Sequence, residues 1–185
     1  MGWDIEVYSS NPSAMPRAHK PEDKVFQISC VFARQGDTPN LWERYLLTLK
    51  KPDEKTEIKI EDAKVLVFDT EDQLFLGYVD LMQKKQPNII IGYNIFQFDI
   101  NYMVQRSKEI LMNIDKFDRQ GLDKYGHAKE RIIEWDSSAY KNQSFQFLDA
   151  EGRIFVDLLP IIKRDHKLSN YQLKTVALEF LKDMT

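Results

Sequence analysis

The sequence predicts an α/β domain in which helices flank a mixed central sheet and a small antiparallel hairpin is inserted. Strand-like segments come first along the chain and then alternate with helical segments, which is the order found in α/β proteins. Residues 88–93 are apolar on both faces, which favours a strand with parallel neighbours. The 185 residues are 43% hydrophobic and 30% charged, a composition that suits one domain with its own core.

The first third of the chain is predicted to form strands. Residues 3–8 alternate apolar and acidic side chains, which is typical of a half-buried strand. Prolines between residues 11 and 22 predict a loop. Apolar and β-branched runs predict further strands at residues 25–33, 44–49 and 64–68, with a turn at residues 52–55.

Helices and strands alternate in the remainder of the chain. Apolar residues at three- and four-residue spacing predict a helix over residues 71–86, which Pro87 ends, and another over residues 100–112. The polar segment at residues 116–129 predicts an insertion. Beyond it we predict a small antiparallel set at residues 131–135, 144–148 and 153–156, with a turn at residues 149–152, and helices over residues 158–164 and 171–182.

Charge and cysteine content exclude several kinds of protein. Lys and Arg total 26 against 29 for Asp and Glu, so the formal net charge is −3 and any nucleic-acid contact has to come from a local pattern. The single cysteine, Cys30, excludes a disulfide framework and a cysteine zinc site, and it favours a reducing, intracellular setting. No apolar run approaches the ~20 residues of a membrane helix, and the first residues do not resemble a signal peptide.

Two carboxylates, Asp4 and Glu6, lie in the first predicted strand. Because alternate residues of a strand point to one face, these side chains share a face roughly 7 Å apart, opposite Trp3 and Ile5. Two anions on one face of a central strand repel each other unless cations or water stabilise them. An Asp-x-Glu pair by itself is weak evidence for a site, because a solvated sheet face is the commoner explanation.

A second group of candidate residues joins the strand predicted at residues 88–93 to the next helix. Sites in open α/β sheets collect at the carboxyl ends of strands, and Asp99 stands where this helix begins. Taken alone, Asp99 is more simply explained as a helix N-cap. The aromatic residues Phe96 and Phe98 belong to the core by default, although an aromatic side chain that faces a site can stack on a base.

The two groups together favour a metal site. Asp4 and Glu6 from a strand and Asp99 from a helix start could converge and hold two hard cations such as Mg²⁺ about 4 Å apart. Such a pair of ions activates a water, stabilises the leaving oxygen and holds a phosphodiester for in-line attack. The residues therefore point to metal-dependent hydrolysis of a phosphodiester.

These residues resemble the motifs of the 3′–5′ exonuclease (proofreading) domains of family B DNA polymerases. Trp3-Asp4-Ile5-Glu6 is similar to the first exonuclease motif of that family, Asp-x-Glu, and Asn94-x-x-x-Phe98-Asp99 is similar to the second, Asn-x-x-x-Phe-Asp. Residues 87–94, 152–160 and 168–177 resemble the stretches that lead into and follow the second motif. The resemblance runs in order from residue 3 to residue 181, and it is nearest to delta-like polymerases and those of large DNA viruses.

The resemblance implies a ribonuclease H-like fold and hydrolytic removal of a mispaired nucleotide from the single-stranded 3′ end of a primer. It implies two Mg²⁺ or Mn²⁺ ions, with Asp4 a ligand of both, Glu6 of one and Asp99 of the other. Asn94, Phe96 and Phe98 are implied as residues that contact the substrate end. The polymerase and N-terminal domains of one parent chain are the implied partners, in the nucleus or at a viral replication site, with no membrane involved.

The third motif of the family, Tyr-x-x-x-Asp, is missing. It supplies the tyrosine that orients the attacking water and a fourth carboxylate, yet no tyrosine here is followed by aspartate four positions later. Tyr171, for example, is followed at that spacing by Thr175. We therefore expect residues 1–185 to be a single exonuclease domain, truncated at both ends from a larger polymerase, and to be weak or inactive by itself.

Three other features of the sequence carry side chains that could form a site. Asp157 follows a predicted strand and is expected to cap a structure or to support the site rather than to take part in catalysis. The basic residues 163–167 could contact phosphates, although a solvated basic turn is commoner. The histidines are too scattered to predict a zinc site, at His19, His127 and His166.

Two other function classes stay open beside the exonuclease. A non-catalytic module would pack against the polymerase or bind single-stranded DNA, but the presence of all three carboxylates argues against it. A sugar- or nucleotide-binding domain of another class has little support, because the sequence has no glycine-rich phosphate loop. Titration of thermal stability with Mg²⁺ or Mn²⁺ separates this last class, which predicts no carboxylate-dependent shift.

Overall fold

The computed structural model describes residues 1–51, 62–110, 129–135, 143–150 and 152–181. Along the chain the strands are β1 (Gly2–Val7), β2 (Val25–Phe32), β3 (Glu43–Leu49), β4 (Ala63–Phe68), β5 (Ile89–Gly92), β6 (Lys129–Trp135), β7 (Gln143–Asp149) and β8 (Ile154–Asp157). The helices are α1 (Glu71–Lys85), α2 (Asp99–Glu109), α3 (Leu158–Asp165) and α4 (Leu173–Phe180). The turn predicted at residues 52–55 and the insertion predicted at residues 116–129 lie outside the described residues, except that residue 129 begins β6.

Six strands form one mixed sheet in the order β4-β3-β2-β1-β5-β8. β1, β2 and β3 are antiparallel neighbours, whereas β4 runs parallel to β3, β5 to β1 and β8 to β5. The predicted mixed sheet is therefore confirmed, and its arrangement is that of a ribonuclease H-like fold. β1 lies inside the sheet with an antiparallel neighbour on one side and a parallel neighbour on the other.

A separate two-stranded hairpin is formed by β6 and β7. They pair antiparallel from Lys129 opposite Asp149 to Trp135 opposite Gln143, which confirms the predicted hairpin. The prediction that residues 153–156 join this antiparallel set through a hairpin turn at residues 149–152 is wrong, because β8 pairs parallel with β5 from Ile154 opposite Ile89. A short apolar run indicates a strand but not its partner, so only tertiary structure distinguishes the two sheets.

The four predicted helices are present, with ends that differ by a few residues. α1 ends because Gln86 adopts a left-handed conformation (φ 47°) before Pro87, and its backbone N–H donates to the Met82 carbonyl oxygen. The buried side chain of Arg153 donates to the carbonyl oxygens of Pro87 and Met82, at 2.9 and 3.2 Å. The start of β8 is thereby tied to the end of α1.

The core lies between the sheet and the helices α1 and α2. Trp3 on β1 stacks on Tyr78 of α1 with ring centroids 5.9 Å apart. The largest fully buried apolar side chains come from β2, β3, β5, α1, α2 and the turn before α2: Val25, Ile28, Leu47, Leu74, Tyr78, Met82, Ile90, Ile95, Ile100, Met103 and Val104. The apolar stripes predicted for α1 and for the described part of α2 therefore face the core.

Two burial predictions are wrong in part. β5 has the predicted parallel neighbours, but Ile89 is 45% exposed because it lies with the exposed Ile154 at the end of the ladder, where neither is covered. The apolar stripe predicted for the final helix buries only Val176, and Leu173 is 56% exposed. This stripe instead forms one wall of an apolar cleft.

Candidate metal and substrate site

β1 presents Asp4 and Glu6 on one face of the sheet, as its alternation predicts. Trp3 and Ile5 point into the core, whereas both carboxylates are exposed on the opposite face. The pairing of β1 with β2 shifts register between Glu6 and Val7, because Phe26 of β2 has no partner on β1. Partial desolvation by the surrounding sheet and then the negative charge of Glu6 raise the pKa of Asp4, although the side chain still reaches solvent.

Asp99 is the residue that links α2 to β1. It is the first residue of α2, its side chain is buried, and its Oδ1 accepts a hydrogen bond from the backbone N–H of Ile5 at 3.2 Å. The N-cap position itself is occupied by Phe98, with no side-chain cap hydrogen bond. The simple N-cap explanation for Asp99 is therefore wrong, because its carboxyl group bonds to the strand residue between Asp4 and Glu6.

Burial and charge act together on Asp99. Desolvation and, after it, the negative charge of Asp4 together raise the pKa of this carboxyl to about 7. The hydrogen bond from Ile5 opposes this shift but does not cancel it. Near neutral pH the group is therefore divided between its protonated and ionised forms.

The chemistry of these three side chains suits a hard divalent cation. Carboxylate oxygens are the ligands that Mg²⁺ and Mn²⁺ prefer, and a cation would relieve the repulsion that raises the pKa of Asp99. Within the described residues, however, no three His, Cys, Asp or Glu side chains form a ready-made enclosure for a metal ion. Asp4 and Glu6 lie on β1, and Asp99 of α2 is hydrogen-bonded to the same strand. The roles of the three residues as metal ligands stay a prediction.

The turn between β5 and α2 carries the residues predicted to contact substrate. Asn94 has a left-handed backbone (φ 64°), and its buried Oδ1 accepts no hydrogen bond from the described part of the chain. Phe96 and Phe98 are partly buried and pack against the core, as their default interpretation predicts. Phe98 also lies 5.7 Å from the ring of Tyr102 and lines a cavity of about 250 Å³ with residues 15–19. Substrate contact by these residues stays a prediction.

Asp157 has the structural role that its position predicts. It is the last residue of β8, it is buried, and it caps α3 by accepting a hydrogen bond from the backbone N–H of Leu159 at 3.0 Å. The same carboxylate accepts from the backbone N–H groups of Asn94 and Phe96, at 2.8 and 3.1 Å. Asp157 therefore connects α3 to the turn that precedes Asp99.

Sequence reasoning missed an apolar cleft beside Asp4. The cleft has a volume of about 560 Å³ and lies between β1, β5 and the helices α3 and α4. Tyr93 is one of its lining residues, and its hydroxyl donates a hydrogen bond to the Tyr171 carbonyl oxygen at 2.6 Å. His166 packs edge-on against Phe180, with ring centroids 4.7 Å apart. The apolar residues of the final helix were the signal for this cleft, but their spacing predicted a core contact equally well.

The basic residues 163–167 are exposed, but they lie on the last turn of α3 and directly after it and not in a separate turn. Arg164 pairs with its neighbour Asp165 at 2.6 Å, and Lys163 lies 5.9 Å from the centre of the Tyr171 ring. These contacts support the structural interpretation and leave phosphate binding untested. His127 lies outside the described residues.

Comparison with known proteins places the chain among the domains that its motifs resemble. The family model described as DNA polymerase family B, exonuclease domain, matches residues 1–176. The chain is 47% identical over 183 residues to DNA polymerase 120R of Invertebrate iridescent virus 3, covering 98% of this chain and 15% of that protein. It is 38% identical over 187 residues to DNA polymerase 037L of Invertebrate iridescent virus 6, covering 98% and 14%. It is 32% identical over 187 residues to the DNA polymerase delta catalytic subunit of Glycine max, covering 99% and 16%. The chain thus spans less than a fifth of each relative.

Proposed function

The chain belongs to the exonuclease-domain family of family B DNA polymerases, and we propose that it removes the 3′-terminal nucleotide of mispaired DNA for a replicative DNA-directed DNA polymerase. The observation that carries this proposal is the hydrogen bond from Ile5 to Asp99, which holds a carboxylate from α2 against the strand that bears Asp4 and Glu6. This contact between elements far apart in the sequence supports a shared metal site for the three carboxylates.

Each carboxylate has a distinct part in the proposed hydrolysis. Asp4 would be a ligand of both of two Mg²⁺ or Mn²⁺ ions, with Glu6 on one and Asp99 on the other. When bound, such ions supply an activated water and stabilise the leaving oxygen of the phosphodiester. Asp99 has to give up its proton to act as a ligand, which its pKa of about 7 allows near neutral pH.

The turn before α2 would receive the DNA end. Asn94 Oδ1 is a buried acceptor that lacks a donor in the described structure, and a hydroxyl of the terminal nucleotide could supply one. Phe96 and Phe98 are partly buried aromatic residues on the same turn, where a base could stack on the part of each ring that stays exposed. These contacts would hold the single-stranded end, while the carboxylates act on the phosphodiester.

The chain would be part of a longer polymerase polypeptide. Residues 1–185 would form one domain beside the polymerase and N-terminal domains of a longer polypeptide, in the nucleus or at a viral replication site. The share of each relative that the chain covers supports this. No helix in the described part of the chain has the length and apolar character that a bilayer crossing requires.

Low activity of the isolated chain is a further part of the proposal, because the motif with the fourth carboxylate has no match in its sequence. Single-turnover digestion of a 3′-labelled single-stranded oligonucleotide with Mg²⁺ tests it. This chain would be compared with a version extended by about 60–80 residues, within the usual size of a domain. We expect only the extended form to digest. If neither digests while both stay folded, the non-catalytic module becomes the better explanation.

Metal-dependent stabilisation tests the carboxylate site in this chain directly. Mn²⁺ should raise the melting temperature of the wild type, and the variants Asp4→Ala and Asp99→Asn should lose most of that rise. Asp80→Asn, which removes an exposed carboxylate on α1, is the matched control and should keep it. Equal rises in all four proteins would count against Asp4 and Asp99 as ligands.

A further inference from the structure

The turn that joins β5 to α2 is held by one buried carboxylate from another strand. Asp157 stands opposite Gly92 in the parallel ladder between β8 and β5, with only 5% of its surface exposed. Its Oδ1 accepts from the backbone N–H of Asn94 at 2.8 Å and its Oδ2 from that of Phe96 at 3.1 Å. Both bonds span more than 60 residues of sequence, so the turn is fixed by tertiary structure and not by local propensity alone.

The backbone of Asn94 is held from two sides. While its N–H donates to Asp157, its carbonyl oxygen accepts from the N–H groups of Gln97 and Phe98, both at 3.2 Å. The residue is thereby kept in the left-handed region (φ 64°), which asparagine tolerates better than most residues other than glycine. This conformation places Oδ1 in a buried position with no donor among the described residues.

A buried acceptor without a donor is unfavourable, so the surroundings must hold it in place. The bonds to Asp157 supply that restraint, because they fix the turn on both sides of Ile95, whose side chain is fully buried. If the turn relaxed, the position of Oδ1 would no longer be fixed.

We propose that Asp157 is a positioning residue for the exonuclease reaction: by fixing the backbone of Asn94 and Phe96, it holds Asn94 Oδ1 ready to accept a hydrogen bond from a hydroxyl of the 3′-terminal nucleotide. The inference rests on the proposed function. Asp157 itself would touch neither the nucleotide nor a metal ion. The same carboxylate caps α3, so a purely structural role is the explanation that has to be separated from positioning.

A double-mutant cycle in the full-length parent polymerase separates the two roles. The variants are Asp157→Ala, Asn94→Ala and their combination, and the measurements are the single-turnover rate of excision from a mispaired primer and the rate of DNA synthesis. Because Asp157 acts through Asn94, we expect each single variant to slow excision about tenfold or more, and the combination to be no slower than Asn94→Ala alone. DNA synthesis should be unchanged in all three variants.

Conservative and control variants keep the test decisive. Asp157→Asn keeps an oxygen that can accept from the N–H groups of Asn94 and Leu159, but it turns an NH₂ group towards the N–H of Phe96. The excision rate of this variant should therefore lie between those of the wild type and Asp157→Ala. If Asp157→Ala fails to fold, the same cycle is run with Asp157→Asn. Leu159→Ala weakens α3 by truncating a buried side chain while it keeps the backbone N–H, and it should leave excision per folded enzyme unchanged.

The outcomes that overturn the inference differ from failure of the proposed function. Excision at the wild-type rate in folded Asp157→Ala would show that Asp157 is only a structural cap. The same conclusion would follow if the double variant slowed excision by the product of the two single-variant reductions. Equal slowing by Leu159→Ala would lead to the same conclusion. If the wild-type polymerase shows no excision that Asp4→Ala removes, the proposed function itself has failed.

Discussion

Asp99 concentrates the electrostatics of the site in one buried carboxyl group. It faces the charge of Asp4 while it is shielded from water, and it accepts a hydrogen bond from the backbone N–H of Ile5 on β1. An ionised carboxylate is disfavoured under those conditions unless a cation compensates it. The free-energy cost of burying the ionised Asp99 carboxylate is therefore highest when no metal ion is bound.

The first prediction concerns the pH dependence of stability in the presence of a chelator. The pKa of Asp99 is about 7 in the folded protein against an ordinary value of 3.8, so the folded state keeps a proton that the unfolded chain has released. The free energy of unfolding, relative to Asp99→Asn, should be greatest below pH 4 and should fall by roughly 4 kcal/mol as the pH rises to 7. Chemical denaturation of both proteins at several pH values measures it, and parallel profiles would contradict it.

A second prediction links the same proton to metal binding. Because a cation displaces the proton of Asp99, the rise in melting temperature that Mn²⁺ causes should be larger at pH 8 than at pH 6. In Asp99→Asn this difference between the two pH values should shrink. A wild-type response independent of pH would show that the carboxyl of Asp99 is not displaced by the ion.

At the scale of elements, the end of β5 packs closely against β1 and the turn that follows. A Cβ atom on Gly92 would collide with the Ile95 side chain and would lie 2.9 Å from the backbone carbonyl oxygen of Trp3. Backbone cannot move away as a flexible side chain can. The small residue is therefore required by close approach between β5 and the strand that carries Asp4.

Gly92→Ala is accordingly expected to lower stability by about 1–3 kcal/mol through overpacking and to weaken the Mn²⁺ response, since β1 and the turn must shift apart. Thermal melts with and without Mn²⁺ measure both effects. Gly36→Ala is a useful comparison, because nothing lies within 4 Å of its added Cβ, although its φ of +91° brings backbone strain. If Gly92→Ala lost stability but kept the Mn²⁺-dependent rise in melting temperature, the close packing at Gly92 would matter for stability and not for metal binding.

A buried ion pair fixes the loop that follows β1. Arg106 of α2 pairs with Glu71 of α1 at 2.7 Å and donates to the carbonyl oxygens of Ala18 and Lys20, at 2.7 and 2.8 Å. Both charged side chains are almost fully buried. The helix that begins with Asp99 thus also holds the loop next to the carboxylate strand.

Arg106→Met should destabilise the domain by about 3–5 kcal/mol, because it leaves Glu71 as an unpaired buried charge. The exposed pair of Arg164 and Asp165 is the matched comparison, and Arg164→Met should cost less than about 1 kcal/mol. Urea denaturation of both variants gives the two values. Similar losses would mean that the buried pair contributes no more than a surface one.

The elements of the sheet and the major helices were predictable because their patterns are local. Alternation in β1 and three- and four-residue spacing in α1 each depend on neighbouring residues alone. The partner of β8 and the burial of α4 were not predictable, since each depends on which distant surface is available. Ile154 and Leu173 both have the composition of core residues yet are 62% and 56% exposed.

For the whole molecule, the candidate site was predicted mainly from the resemblance and only in part from the chemistry of its residues. The pattern of residues suggested that Asp4 and Asp99 converge, and the hydrogen bond through Ile5 shows how the parallel arrangement of β5 beside β1 brings α2 to them. The double role of Asp157 could be predicted only as far as a cap. Its bonds to Asn94 and Phe96 depend on the register between β5 and β8.

The most direct test of metal-dependent proofreading is excision by the parent polymerase of a mispaired 3′ nucleotide, measured under single-turnover conditions with Mg²⁺ in the wild type and in Asp4→Ala. We expect Asp4→Ala to abolish excision while DNA synthesis continues at the wild-type rate, and we expect Asp80→Asn to be normal in both. Excision by Asp4→Ala at the wild-type rate would contradict the assignment of the carboxylate site.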